Sequence, residues 1–234
     1  MSDLAQRIQN DMKDFKATGI SRVHELAQEP GALAQYEQLM NHPDPAVRQQ
    51  VTTAAAYAHV DRSVRILSNM VADPDENVGR EAVRGLYANW NGESLQKMGG
   101  VSLKRGLIER LQRNPGDGRA ILLLSSFRGD SDVLNFAAGL RKLQALRGVP
   151  VEFDGPRYGS AATITDLTLA LLQAPGATNR LKAILAQGSV ADAVAFLDSL
   201  SFIQDPAVLR QLTDLLSDER PTGRFIGTRN PVPM

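Results

Sequence analysis

Arg80 and Arg84 stand one helical turn apart in "ENVGREAVRGLY", with Glu76 and Glu81 close by in sequence. Guanidinium groups at that spacing can meet an acidic partner, or they can pair with the neighbouring glutamates on a solvated face. Tyr57 and His59 close one apolar-patterned segment, and Tyr87 and Trp90 close the next. Tyr and Trp are favoured at interface hot spots, although the same side chains can fill a core between stacked elements. A third group, Phe153, Arg157 and Tyr158, lies in "RGVPVEFDGPRYGS" at 147–160. Long loops often carry recognition residues. The other reading of this loop has it covering an end of the core, with Phe153 tucked in.

These residue types suit binding better than bond-making. The three histidines, His24, His42 and His59, fall in different elements and lack the spacing of metal ligands. His42 reads as a turn residue. "NPGDGRA" at 114–120 has glycines but no Lys-Ser/Thr after them, so it reads as a turn before a helix and not as a phosphate loop. The chain has no cysteine, hence no disulfide and no thiolate ligand. No catalytic residue, cofactor or metal site is expected.

Composition narrows the partners. Lys plus Arg and Asp plus Glu each number 26, so the formal net charge is zero. That balance lacks the basic excess of a typical nucleic-acid binder, and no nucleic acid is expected. The apolar content is carried by Ala, Leu and Val, with aromatics at only 5%, as in helical proteins with many small contacts. "MSDLAQRIQNDMKDF" has no apolar core of a signal peptide, and no apolar run is long enough to span a membrane. A soluble, cytoplasmic monomer is the default expectation, unless an export segment has been removed.

What must position these residues is a repeat. Pro43, Asp44 and Val47 in "HPDPAV" recur 31 residues on as Pro74, Asp75 and Val78 in "DPDENV". Before the turn, Leu33, Tyr36, Leu39 and Met40 correspond to Val64, Leu67, Met70 and Val71. After it, Val47, Val51, Ala54 and Ala55 correspond to Val78, Ala82, Gly85 and Leu86. Each set lies on one face of an α-helix. Every unit therefore reads as a first helix, a Pro/Asp turn and a second helix. Pro ends the first helix, and Asp44 or Asp75 caps the second. The second-helix stripe returns at Ile164, Thr168, Leu171 and Leu172. The first-helix stripe returns at Leu209, Leu212, Leu215 and Leu216.

The pattern resembles the HEAT-repeat family, in particular the short bacterial repeats of PBS-lyase type. Their second helix commonly opens Asp-x-x-Val-Arg-x-x-Ala. "DPAVRQQV" matches it, "DENVGREA" has Gly79 in place of the arginine, and "TITDLT" has Thr165 there. The family's Asp–Arg ladder is therefore incomplete, and packing must carry more of the stacking. The resemblance spans roughly residues 31–220. It implies an all-α, right-handed α-solenoid of about ten to fourteen helices, with the second helices lining a concave face that includes Arg80 and Arg84. Capping helices are expected at 1–30, helix pairs at 31–58, 61–89, 101–127 and 131–173, and three helices at 177–187, 189–203 and 205–217. No domain boundary is apparent. The tail at 218–234 is irregular and leaves the Leu209–Leu216 face uncovered. Either the chain is a fragment of a longer solenoid, or its tail folds back over that face, or the helix at 189–203 already buries it and Met234 is the natural terminus.

Such solenoids present extended surfaces and serve many purposes. The leading expectation is a non-enzymatic protein-binding solenoid: a scaffold, an adaptor, or an inhibitor of immunity type. The alternative implied by the resemblance is a HEAT-like enzyme, either a DNA glycosylase or a protein resembling bilin lyases. Zero net charge and a single Trp oppose the former.

Overall fold

A computed structural model describes residues 6–8, 10, 11, 31–58, 60–90, 92–153, 159–187, 189, 191, 192, 196 and 199. The protein is all-α. The described residues form nine α-helices and one 3-10 helix, with two isolated β-bridges and no strand. Contacts divide the chain into two compact units, Met1–Arg110 and Leu111–Met234.

The first unit contains α1 (Ala32–Leu39), α2 (Pro45–Ala58), α3 (Asp61–Met70), α4 (Glu76–Asn89) and most of α5 (Gly92–Arg113). α2 packs most extensively on α4, and α3 contacts α1, α2 and α4. The stripes expected from the repeat form the core: Tyr36, Leu39, Val47, Val51, Ala54, Ala55, Val64, Leu67, Met70, Val71, Val78, Ala82 and Leu86 are buried. Leu33 and Met40 at the outer edge are half-buried. Gly85 holds a packing position, because a Cβ there would stand 2.8 Å from Ala56 Cβ and 3.3 Å from Leu67 Cδ1. Its missing side chain lets α4 approach α2 and α3 together.

The 31-residue period extends to the turns. His42 N–H donates to Leu39 O, and its equivalent Asp73 N–H donates to Met70 O. His42 Nδ1 accepts from Asp44 N–H at 3.1 Å. Asp73 Oδ1 accepts from Asp75 N–H at 2.9 Å. Asp44 Oδ1 then accepts from Ala46 N–H, and Asp75 Oδ1 from Asn77 and Val78 N–H. These bonds occupy the free amides of each second helix.

α5 is longer than the sequence pattern predicts. It opens at Gly92, includes the buried Leu95, and breaks at Gly100 (φ 48°, ψ −133°) before the expected segment at 101–113. Those angles suit glycine.

The second unit contains α6 (Gly118–Leu123), the 3-10 helix Leu124–Phe127, α7 (Ser131–Arg147), α8 (Ala161–Leu171) and α9 (Ala177–Gln187). Asp117, Asp130 and Ser160 cap α6, α7 and α8. Every residue of α8 is buried, with α6, α7 and α9 packed around it. Asp192 Oδ1 also reaches its first turn, accepting from Ser160 N–H at 2.6 Å and from Thr163 Oγ1. The connection at 147–160 is tied down at both ends. Glu152 N–H donates to Gly116 O, Val151 N–H to Gly159 O, and Ala161 N–H to Val149 O. The helix expected at 205–217 and the tail at 218–234 lie outside the described residues, as does most of 189–203.

Candidate partner-binding surface

The second helices of the first two repeats carry the candidate residues Tyr57, Arg80 and Arg84. On α2 the solvent-facing positions are Pro45, Gln49, the half-buried Thr53, and Tyr57. The equivalent positions on α4 are Glu76, Arg80, Arg84 and Ala88, all exposed. The period that fixes the core thus also aligns two polar stripes on helices that pack side by side.

Arg80 and Arg84 are exposed and paired locally. Arg80 lies 3.7 Å from Glu76 and Arg84 lies 2.9 Å from Glu81. Exposed pairs of this kind contribute little stability and exchange readily with other partners. Tyr57 is 51% exposed at the end of α2. Tyr87 and Trp90 are half-buried at the end of α4. Asn89 Nδ2 donates to Ala56 O at 2.9 Å, which brings these two helix ends together.

The remaining candidates lie elsewhere. Phe153 belongs to the second unit, half-buried, with its ring against Gly118, where a Cβ would stand 2.6 Å from Cζ. This packing agrees with the reading of Phe153 as cover for the core. Arg157, Tyr158, His24 and His59 lie outside the described residues. Among the described residues, no group of three His, Asp or Glu is placed to hold a metal ion. No described helix is long and apolar enough to cross a membrane.

Behind this surface the repeats are joined by charge. Arg48 Nε and Nη2 each donate to Asp73 at 2.8 Å, and Nη1 donates to His42 O and Pro43 O. The hydrogen bond to Asp73 raises the Arg48 pKa further, against the opposing cost of burial. On the first-helix side Arg62 grips Glu37 with Nε and Nη2. That hydrogen bond holds the Glu37 carboxyl below its ordinary value.

Where the second repeat has Gly79 in place of arginine, a different residue occupies the space. A Cβ at Gly79 would meet Arg110 Nη1 at 2.6 Å. Arg110 is 1% exposed and donates from Nη2 to Glu76 Oε1 at 2.8 Å. Arg110 leaves one signal in the sequence: it lies on the same helix face as the buried Leu103 and Leu107. Alongside the turns runs a groove of about 450 Å³, lined by Asn41, Asn69, Pro74, Arg105 and Glu109 among others.

Compared with protein-family models, curated proteins and solved structures, the chain matches none.

Proposed function

We propose that the chain is a non-enzymatic protein-binding module, a right-handed α-solenoid of HEAT-like helix pairs whose second helices carry the contact surface. The observation behind this reading is the alignment of two solvent-facing stripes, Gln49–Thr53–Tyr57, half-buried at Thr53, and Arg80–Arg84–Ala88, on adjacent helices at one period. A surface built by repetition from a rigid core suits an extended protein partner, because little order is lost on binding. Arg80 and Arg84 direct it toward a partner with acidic groups, exchanging Glu76 and Glu81 for that partner's carboxylates. The cytoplasm is the proposed location.

Photo-crosslinking tests the placement. A photoreactive residue at Gln49 or Arg84, used in the native host, should capture one and the same protein. The same probe at Arg105, on α5 and part of neither stripe, should not. Capture of unrelated proteins at the two stripe positions would sink the reading. Tight duplex DNA binding at physiological salt would favour the glycosylase alternative, whereas the balanced charge offers phosphate little attraction.

A further inference from the structure

We propose that Arg141 and Arg180, in the second unit, form a binding site for a terminal oxyanion, a phosphate or carboxylate group, seated over the buried carboxylate of Asp166. Asp166 lies on α8 and its side chain is fully buried, while Arg141 comes from α7 and Arg180 from α9. Arg141 Nε donates to Asp166 Oδ2 at 2.9 Å, and Arg180 Nε donates to Oδ1 at 3.2 Å. One guanidinium is thus fixed on each oxygen of the same carboxylate. Their side chains remain 30% and 43% exposed.

Two cations share one anion, and the carboxylate that reaches α8 one turn away, Asp192 at Thr163, is held by Ser160, Thr163 and Ser189 instead. Neither α7 nor α9 supplies an acid within a turn of its arginine. The positions one turn away from Arg141 are Ala137, Ala138, Gln144 and Ala145, and those around Arg180 are Gly176, Ala177, Ala183 and Ile184. Arg80, Arg84 and Arg105, by contrast, each have a glutamate one turn away. Lys142 and Lys182, next door in sequence, are also exposed and add to the positive charge.

The hydrogen-bond inventory points the same way. Arg48 engages all three of its nitrogens, and Arg62 grips its carboxylate with two. Arg141 engages Nε alone, and Arg180 adds only a long contact from Nη1 to Pro175 O at 3.4 Å. Both Nη atoms of Arg141 and Nη2 of Arg180 have no acceptor among the described residues. These are the donors that hold an oxyanion bidentately. Because Asp166 already fixes both guanidiniums, binding costs little side-chain freedom.

The test follows the arginine Nε–H signals of the whole chain by NMR at constant ionic strength. Inorganic phosphate and acetate are titrated separately, with chloride as the control. Saturable shifts at Arg141 and Arg180 are expected, and the arm that saturates at lower concentration identifies the oxyanion class. Arg180→Gln should weaken the response of Arg141 by about tenfold, and Arg105→Gln should leave it unchanged. Should Arg180→Gln fail to fold, Arg141→Lys decides, since it keeps the charge and removes the fork. A linear response to both anions, or an unchanged midpoint in the folded variant, would overturn the site.

Discussion

Arg48 in the first unit and Asp166 in the second show two ways of accommodating charge inside a helical protein. Arg48 joins one repeat to the turn of the next, and all three of its nitrogens donate, to Asp73 and to the carbonyls of His42 and Pro43. Asp166 sits in a helix buried along its whole length and draws its partners from α7 and α9. The turn that Arg48 grips recurs at the 31-residue period, with Asp73 where the first repeat has His42, but the arginine itself does not, since Gly79 stands in its place. Both arrangements span elements: Arg48 reaches 25 residues along the chain to Asp73, and Asp166 reaches 25 residues to Arg141 and 14 to Arg180. They differ in burial: Arg48 and Asp73 keep a little solvent at a turn, whereas the Asp166 side chain has none.

Four substitutions or conditions probe the contrast, beginning with the core. Leu67→Ala should cost about 4 kcal/mol in a denaturant titration, since Leu67 is fully buried between α2 and α4. An unchanged midpoint would mean that the apolar register of the first unit is misplaced. Asp166→Ala should cost about 3 kcal/mol, the low end for breaking a buried pair, because Arg141 and Arg180 keep some solvent. A loss as small as that of an exposed pair would erase the distinction between the units. Gly79→Ala should cost about 2 kcal/mol by driving a methyl group against Arg110 and Val71 O. In an Arg110→Ala background the added cost should shrink, which a double-mutant cycle would measure.

The smallest effect concerns acid. The hydrogen bond from Arg62 lowers the folded pKa of Glu37 from its ordinary value of 4.5. Its contribution is therefore present above that value and fades as pH falls through the lowered one. Solvent screening keeps it small. The stability difference between the native chain and Glu37→Gln should close on acidification below the ordinary value. A difference that stays constant would remove Glu37 from the account.

Much of the first unit could be read from its residues. Asp44 and Asp75 cap helices as their position after Pro suggests, and Val47 and Val78 open buried stripes. Such signals are local, so they survive in sequence. Arg110 is different: its role depends on a space left by Gly79, and no spacing rule links the two. Asp166 is the only charged residue in "GSAATITDLTLALLQ", a feature of composition that does not name its partners. The exposure of Arg80 and Arg84 is legible from their helical phase, off the apolar stripe, and Tyr57 from its place at a helix end, whereas Gln49 and Thr53 stand out only as the spatial equivalents of the two arginines. Exposure tolerates almost any polar residue, so these positions leave little trace in composition.

The central claim is that the paired stripes of α2 and α4 form one contact surface. It is tested most directly by calorimetric affinity for the crosslinked partner, comparing the native chain with Arg80→Glu/Arg84→Glu and with Gln49→Glu. The account predicts weakened binding by both variants, from adjacent helices, with unaltered thermal stability. Full affinity in both variants would contradict it.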